Sequence, residues 1–253
     1  MRRSCWHSST EAVLRLIFLF LLANTWGLVK AQTHRQTVYW IRYQQQVAFS
    51  PKVYWSNDID NRRFINPDVQ NQLIIHSRLH FKPKKRWDFA GGLTYSLAYA
   101  AFPERGYTDR IAELRPVLEA SYEHSLGKGF MSHRIRTDYR FFQEDPDKTL
   151  LDESFFVLRP RYRLQYRRGL KTNEDNVSTL GYRLMAEIMV NDRANFYDQG
   201  RFYSSLEIYV SPSINLEAGY IFIHQRRFQR DEYFIRHVMR FSVIHRLKWP
   251  AKS

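Results

Sequence analysis

Leu114-Arg115-Pro116-Val117-Leu118-Glu119-Ala120-Ser121-Tyr122 decides the fold. Leu114, Pro116, Leu118, Ala120 and Tyr122 are apolar, and Glu113, Arg115, Glu119, Ser121 and Glu123 take the alternate positions, with Val117 the exception. Alternation with a period of two over about ten residues predicts a strand with one apolar and one polar face.

The same pattern continues toward the C-terminus. Ile135, Tyr139 and Phe141 alternate with Arg134, Arg136, Asp138 and Arg140, and Leu158, Pro160, Tyr162, Leu164 and Tyr166 alternate with Arg159, Arg161, Arg163, Gln165 and Arg167. Tyr182, Leu184, Ala186, Ile188 and Val190 oppose Arg183 and Glu187, while Phe202, Leu206, Ile208 and Val210 oppose Arg201, Ser205 and Glu207. Leu216, Ala218, Tyr220 and Phe222 face away from Asn215 and Glu217, and Met239, Phe241, Val243 and Leu247 oppose Arg240, Ser242 and Arg246. Weaker versions precede the opening stretch around Tyr39–Tyr43, Val53–Ile59, Leu73–Phe81 and Trp87–Tyr99.

These make about eleven strand signals, each near the roughly 9–11 residues that cross a bilayer at a tilt. Connections alternate between short turns (Ser50–Lys52, Lys82–Lys85, Leu126–Gly129, Ser211–Ser213) and longer polar segments (Arg62–Gln70, Ala101–Arg110, Glu144–Glu153, Asn191–Gln199, Gln225–Glu232). Gly169–Thr179 breaks the rhythm, being long where a short turn is expected. Short turns at one rim and long loops at the other are the habit of outer-membrane barrels. The expectation is all-β: a transmembrane antiparallel β-barrel of 10–12 strands, apolar face outward and polar face inward. Twelve is favoured because bacterial barrels usually have even counts.

The N-terminus reads as an export address. Arg2, Arg3 and Arg15 precede an uncharged run of 14 residues, Leu16–Val29, with small residues at Val29 and Ala31. That run is short for a spanning helix and suits a cleavable helical signal peptide over residues 1–31, leaving 32–253 as one barrel domain. Cys5, the one cysteine, leaves with it, so no disulfide supports the exported chain.

Composition agrees. There are 39 Lys+Arg against 25 Asp+Glu, a formal charge of +14, and 16% aromatics. The aromatics exclude a disordered chain, and a mean hydropathy of −0.52 argues against a helical membrane protein. The basic excess suggests nucleic acid at first. Alternation divides it instead, with aromatics largely on one face of each strand and arginines largely on the other, so no nucleic-acid partner is expected. The expected partners are outer-membrane lipid, the barrel-assembly machinery and small anions, and the expected location is the outer membrane of a Gram-negative bacterium.

Arg159-Pro160-Arg161-Tyr162-Arg163-Leu164-Gln165-Tyr166, Leu184-Met185-Ala186-Glu187, Tyr197-Asp198-Gln199-Gly200-Arg201-Phe202-Tyr203 and Leu216-Glu217-Ala218-Gly219-Tyr220, with His237–Leu247 as the last strand, resemble the DUF2490 family. The resemblance covers most of residues 32–253. It implies an outer-membrane β-barrel, porin-like in architecture, and supplies no catalytic residues. One departure stands out. Such barrels often end on an aromatic residue, whereas Trp249 is followed by Pro250-Ala251-Lys252-Ser253.

The candidate functional residues are the inward polar set: Glu119, Arg134, Arg136, Asp138, Arg140, Arg159, Arg161, Arg163, Glu187, Arg201, Glu207, Glu217 and Arg240. They are expected to form an ion-pair network that fills a narrow lumen, since the planar guanidinium fork bridges carboxylates, or a basic path for anions. Trp55, Trp87, Tyr166 and Trp249 are expected at the membrane interface. The function expected is a structural or passive-channel barrel. Two alternatives are an outer-membrane lipid-modifying enzyme, using His124-Ser125 or Ser242 near His245, and a soluble periplasmic ligand-binding barrel, which would need Tyr162, Leu164 and Tyr166 to point inward. Neither cofactor nor metal is expected, because His76 and His80 share a face at a spacing of roughly 13 Å.

Overall fold

In the computed structural model, which describes residues 32–99, 101–105, 110–145, 147–150, 152–172, 178–193, 195–226 and 232–249, the alternating segments are eleven strands. They are β1 (Gln32–Ala48), β2 (Val53–Phe64), β3 (Gln70–Phe81), β4 (Trp87–Ala98), β5 (Ile111–Leu126), β6 (Gly129–Gln143), β7 (Ser154–Thr172), β8 (Ser178–Val190), β9 (Tyr197–Tyr209), β10 (Ile214–Arg226) and β11 (Glu232–Lys248). They run from 12 to 19 residues, longer than expected. The segment read as a long connection after Gly169 is partly strand, since β7 pairs with β8 as far as Thr172 opposite Ser178. The expected signal peptide lies outside the described residues.

The strands close into a barrel in which β1 lies beside β11. Eleven strands correct the favoured twelve, and the reason lies at this seam. Arg236 Nε donates to Gln36 Oε1 at 2.7 Å, the Tyr43 hydroxyl meets His245 Nδ1 at 3.1 Å, and Trp249 N donates to the Ala48 carbonyl at 2.9 Å. Residue numbers rise together across the seam, so β1 and β11 run parallel. A meander of hairpins closes antiparallel only with an even count; a parallel last pair allows an odd one.

Every other pair is antiparallel, and register carries the alternation around the wall. Even positions of β1–β4 and β6 and odd positions of β5 and β7–β10 point inward; β11 returns to even. The outer surface is a continuous apolar coat, with Ile135, Leu118, Leu79, Leu206, Phe241 and Met239 all more than half exposed. A patch of that extent is untenable in water and is what lipid requires. Tyr162 is exposed on this coat, so the inward orientation that the soluble ligand-binding reading needed is not met. Gly127, at a φ of 57°, makes the two-residue β5–β6 turn. At Gly92 an added Cβ would collide with the Ser77 carbonyl and stand 2.7 Å from Arg78 Cα, so glycine lets Arg78 lie close to the wall.

The lumen is not uniformly polar, which departs from the simple inside-out expectation. Val38, Trp40, Phe64, Met185, Tyr203, Ile221, Ile223 and Val238 form one buried cluster. They come from β1, β2 and β8–β11, and so pack inside the barrel behind the β1·β11 seam. Such side chains can be fully buried within the barrel only by filling it.

Candidate functional site

The rest of the lumen is a cavity of about 790 Å³. Around it stand fourteen arginines but only five Asp or Glu residues, Asp60, Glu113, Glu119, Glu144 and Asp198. The missing acids have not gone elsewhere. Asp58, Asp138, Glu187, Glu207 and Glu217 are all inward and at most 3% exposed, set against the strands behind the guanidinium groups. Carboxylates on short side chains stay at the wall, and arginines on long ones reach over them toward the centre. The outcome is a lumen paired with acid at the wall and basic toward the cavity.

Most wall carboxylates collect two or three guanidiniums. Asp138 accepts from Arg136 Nε at 2.7 Å and from Arg159 Nη2 at 2.8 Å, and also pairs with Arg161. Glu187 holds Arg134 at 2.7 Å and Arg163 at 3.2 Å, with Arg201 at 3.8 Å. Glu119 takes Arg134 at 3.2 Å, Arg78 at 3.6 Å and Arg136 at 3.9 Å, so it ties β3, β5 and β6 together. Arg140 reaches Glu113 at 2.5 Å. Arg183 joins Glu207 to Glu217 (3.0 Å to the latter), and Arg240 meets Glu217 at 3.2 Å. All thirteen residues of the inward set therefore take part in lumenal ion pairs, in separate clusters around Glu119, Asp138 and Glu187, at Glu113, and at Glu207 and Glu217.

Several lumenal charges were absent from that set: Arg42, Asp58, Asp60, Arg62, Arg78, Glu113, Arg115, Arg183 and Asp198. Arg42 bridges Asp58 at 3.0 Å and Asp60 at 2.9 Å, Arg78 reaches Asp58 at 2.5 Å, and Asp198 takes Arg159 at 3.3 Å. For Arg42, Asp58, Asp60, Arg62 and Arg78 the signal was the same alternation, carried into the weaker N-terminal strands, while Glu113, Arg115 and Arg183 already stood at polar positions of the stronger ones. Buried Nε–H groups of Arg78, Arg134, Arg161 and Arg201 have no protein acceptor, and neither Glu187 Oε2 nor Glu217 Oε2 accepts a protein hydrogen bond, so the network leaves polar groups of both kinds unmatched.

Trp40 lies in the lumen between two of these cations, with the Arg62 guanidinium 3.8 Å and the Arg201 guanidinium 5.7 Å from its ring. At the loop rim, Phe102 from the β4–β5 connection packs on inward residues of β1 and β11, 4.8 Å from His34 and 5.5 Å from Phe234 between ring centres. Gln36 Nε2 donates to the Ala101 carbonyl at 2.8 Å beside it. The connection thus reaches across the mouth of the lumen.

Four outward aromatics stand near the other rim, where the short turns lie. Trp55, Trp87 and Trp249 are exposed there, Trp55 donating to Ser77 Oγ at 2.8 Å, and Tyr166 lies 5.9 Å from Tyr182. The two histidine–serine pairings do not form a nucleophile with its base. Ser242 is buried in the lumen and accepts from Arg240 Nε at 3.1 Å, whereas His245 is bonded to Tyr43 on the outer face. His124 Nδ1 is 3.2 Å from the Ser125 backbone carbonyl. His76 and His80 have separate partners, Thr94 at 2.7 Å and Asp88 at 2.9 Å. Among the described residues, no three His, Cys, Asp or Glu side chains converge as metal ligands would.

No curated protein matches the chain. Among solved structures it is similar to one described as "NanC porin structure in rhombohedral crystal form", with a TM-score of 0.46 and 10% identity, over 76% of this chain and 86% of that one. The family described as "Protein of unknown function (DUF2490)" matches residues 37–234, nearly the whole barrel, and the chain belongs to that family.

Proposed function

We propose that the protein is an outer-membrane barrel whose basic lumen passes or holds small anionic solutes. The observation that carries this reading is the radial sorting of charge: fourteen arginines face the cavity, and five of the lumenal carboxylates stand behind them. A ring of fixed cations in a narrow, low-dielectric passage lowers the energy of an anion and raises that of a cation. On this reading residues 1–31 direct export and are removed, the barrel-assembly machinery inserts the chain, and Trp55, Trp87, Tyr166 and Trp249 seat one rim at the headgroups. Fractionation with outer membrane and heat-dependent gel mobility test the location; recovery in soluble periplasm would refute it.

Planar-bilayer recording under a salt gradient tests the function. The expected result is a reversal potential on the anion-selective side, reduced when Arg159, Arg161 and Arg163 are replaced together by Gln. A cation-selective pore would overturn the reading. A second reading, a closed structural barrel, is favoured by the apolar cluster that fills the seam side and by Phe102 in the mouth. A folded, membrane-inserted protein with no conductance would select it.

A further inference from the structure

His124 and His133 stand on the outer face of β5 and β6, on a hairpin that runs past the neighbouring turn. Register places His133 opposite Tyr122, and Tyr122 opposite Trp87, the first residue of β4. Beyond that level the hairpin continues to its Gly127–Lys128 turn, and His133 is partly open to solvent. The pair sits close to the turn rim, among the interfacial aromatics Trp87 and Tyr166 and well away from the lumen.

The two Nε2 atoms face each other at 3.3 Å, with the rings 19° from parallel. Both remaining nitrogens are held: His124 Nδ1 lies 3.2 Å from the Ser125 carbonyl, and His133 Nδ1 lies 2.8 Å from the Tyr162 hydroxyl. A carbonyl oxygen only accepts, so neutral His124 carries its proton on Nδ1 and turns a free lone pair at Nε2 toward its neighbour. Imidazoles that bind metals have this arrangement, with the second nitrogen donating to a carbonyl or other oxygen that fixes the tautomer and the ring direction.

We propose that His124 and His133 bind one transition-metal ion of the zinc class through their Nε2 atoms, with water completing a tetrahedron. Two nitrogens at about 2.0–2.1 Å from a tetrahedral ion are about 3.4 Å apart, so the pair is set at the required bite without moving the backbone. In the metal-free state the His133 Nε2–H donates to His124 Nε2, and the Tyr162 hydroxyl donates to His133 Nδ1. On binding, the His133 proton shifts to Nδ1 and donates to the Tyr162 oxygen. Both imidazoles are neutral before and after, so binding above the imidazole titration range releases no proton from the pair. Imidazole ligands suit zinc, copper and nickel alike, and the tetrahedral bite favours zinc.

Calorimetric titration of the folded, detergent-solubilised barrel with zinc chloride, paired with cobalt(II) absorption spectra, tests the site. Wild type is expected to bind zinc and to give the intense visible bands of tetrahedral cobalt. His124→Ala and His133→Ala should each weaken binding by about tenfold or more, and Tyr162→Phe by about tenfold through loss of the oxygen that receives the shifted proton. His245→Ala, which removes another outward histidine, should leave binding unchanged. Heat-dependent gel mobility verifies that each variant is folded. Equal zinc affinity in wild type and in folded His133→Ala, or a weak octahedral-type cobalt spectrum in wild type, overturns the proposal. The lumen is untouched in these variants, so the outcome is independent of anion conduction.

Discussion

Asp138→Asn is the most informative single change in the lumen. The carboxylate is fully buried and holds three guanidiniums, those of Arg136 at 2.7 Å, Arg159 at 2.8 Å and Arg161. At an effective dielectric of about 20, one unit pair at 2.8 Å attracts by roughly 6 kcal/mol, so three such pairs set a gross scale near 18 kcal/mol. Most of this is offset by desolvation and by mutual repulsion among the arginines. The net loss on removing the shared partner of a buried ion cluster is about 3–5 kcal/mol. With a urea dependence of about 2 kcal/mol per molar, the midpoint should fall by roughly 2 M. Urea unfolding in detergent, followed by the loss of heat-dependent gel mobility, measures it. Arg161→Gln should cost much less, since it removes one cation from a crowded site, and adding it to Asp138→Asn should restore part of the loss. The reasoning is refuted if Asp138→Asn shifts the midpoint no more than Asp147→Asn in an exposed loop, or if Arg161→Gln costs as much as Asp138→Asn.

Trp40→Ala, at a site only 5% exposed within the apolar cluster, should destabilise the barrel by about 3–5 kcal/mol in the same unfolding assay. Phe102→Ala frees the loop-rim mouth and should raise single-channel conductance, without reversing ion selectivity, because no lumenal charge changes. In the β2–β3 loop, the hydrogen bond from Arg63 Nε to Asp68 Oδ1 at 2.6 Å, aided by the Tyr39 hydroxyl, holds the Asp68 carboxyl below its usual range. Its contribution to ordering that loop is therefore present above the unfolded carboxylate pKa and is lost as pH falls through the lowered folded value. Hydrogen exchange at the Ile65 amide, bonded to the Thr37 carbonyl at 3.2 Å, should accelerate over that acid interval in wild type and be independent of pH there in Asp68→Asn, once corrected for intrinsic exchange.

The outward and inward sets were legible because a period of two leaves no freedom. Once Ile135 faces lipid, Arg134 and Arg136 cannot. All eleven strands were also visible as separate signals. Their even-number correction was misplaced because it assumes antiparallel closure, and nothing local in β1 or β11 encodes which direction its far neighbour runs. The apolar cluster was hidden for another reason. Gly219-Tyr220-Ile221-Phe222-Ile223 is apolar on both faces, and alternation is silent when neither face is polar; a buried interior side is then the reading that fits. The ordering of arginine over carboxylate depends on side-chain length rather than position in the strand, so alternation located both groups but not their depth. His124 and His133 are nine residues apart on two strands, a spacing that becomes a metal bite only when the β5–β6 turn folds them together.

The parallel seam has a topological price. In an even-stranded barrel the first and last strands have their free ends at the same rim, and a few residues could join them. Here β1 begins at the loop rim and β11 ends at the turn rim. A circular permutant that links Trp249 back to Gln32 must span the height of the wall, roughly 40 Å for a 17-residue strand tilted at about 40°. The seam also joins residues about 200 apart, such as Gln36 and Arg236, with no hairpin turn to set their register. The hydrogen bonds of the seam are backed on the lumenal side by the cluster that holds Val38 and Trp40 together with Val238, so the last stitch of the barrel is braced from within by packing.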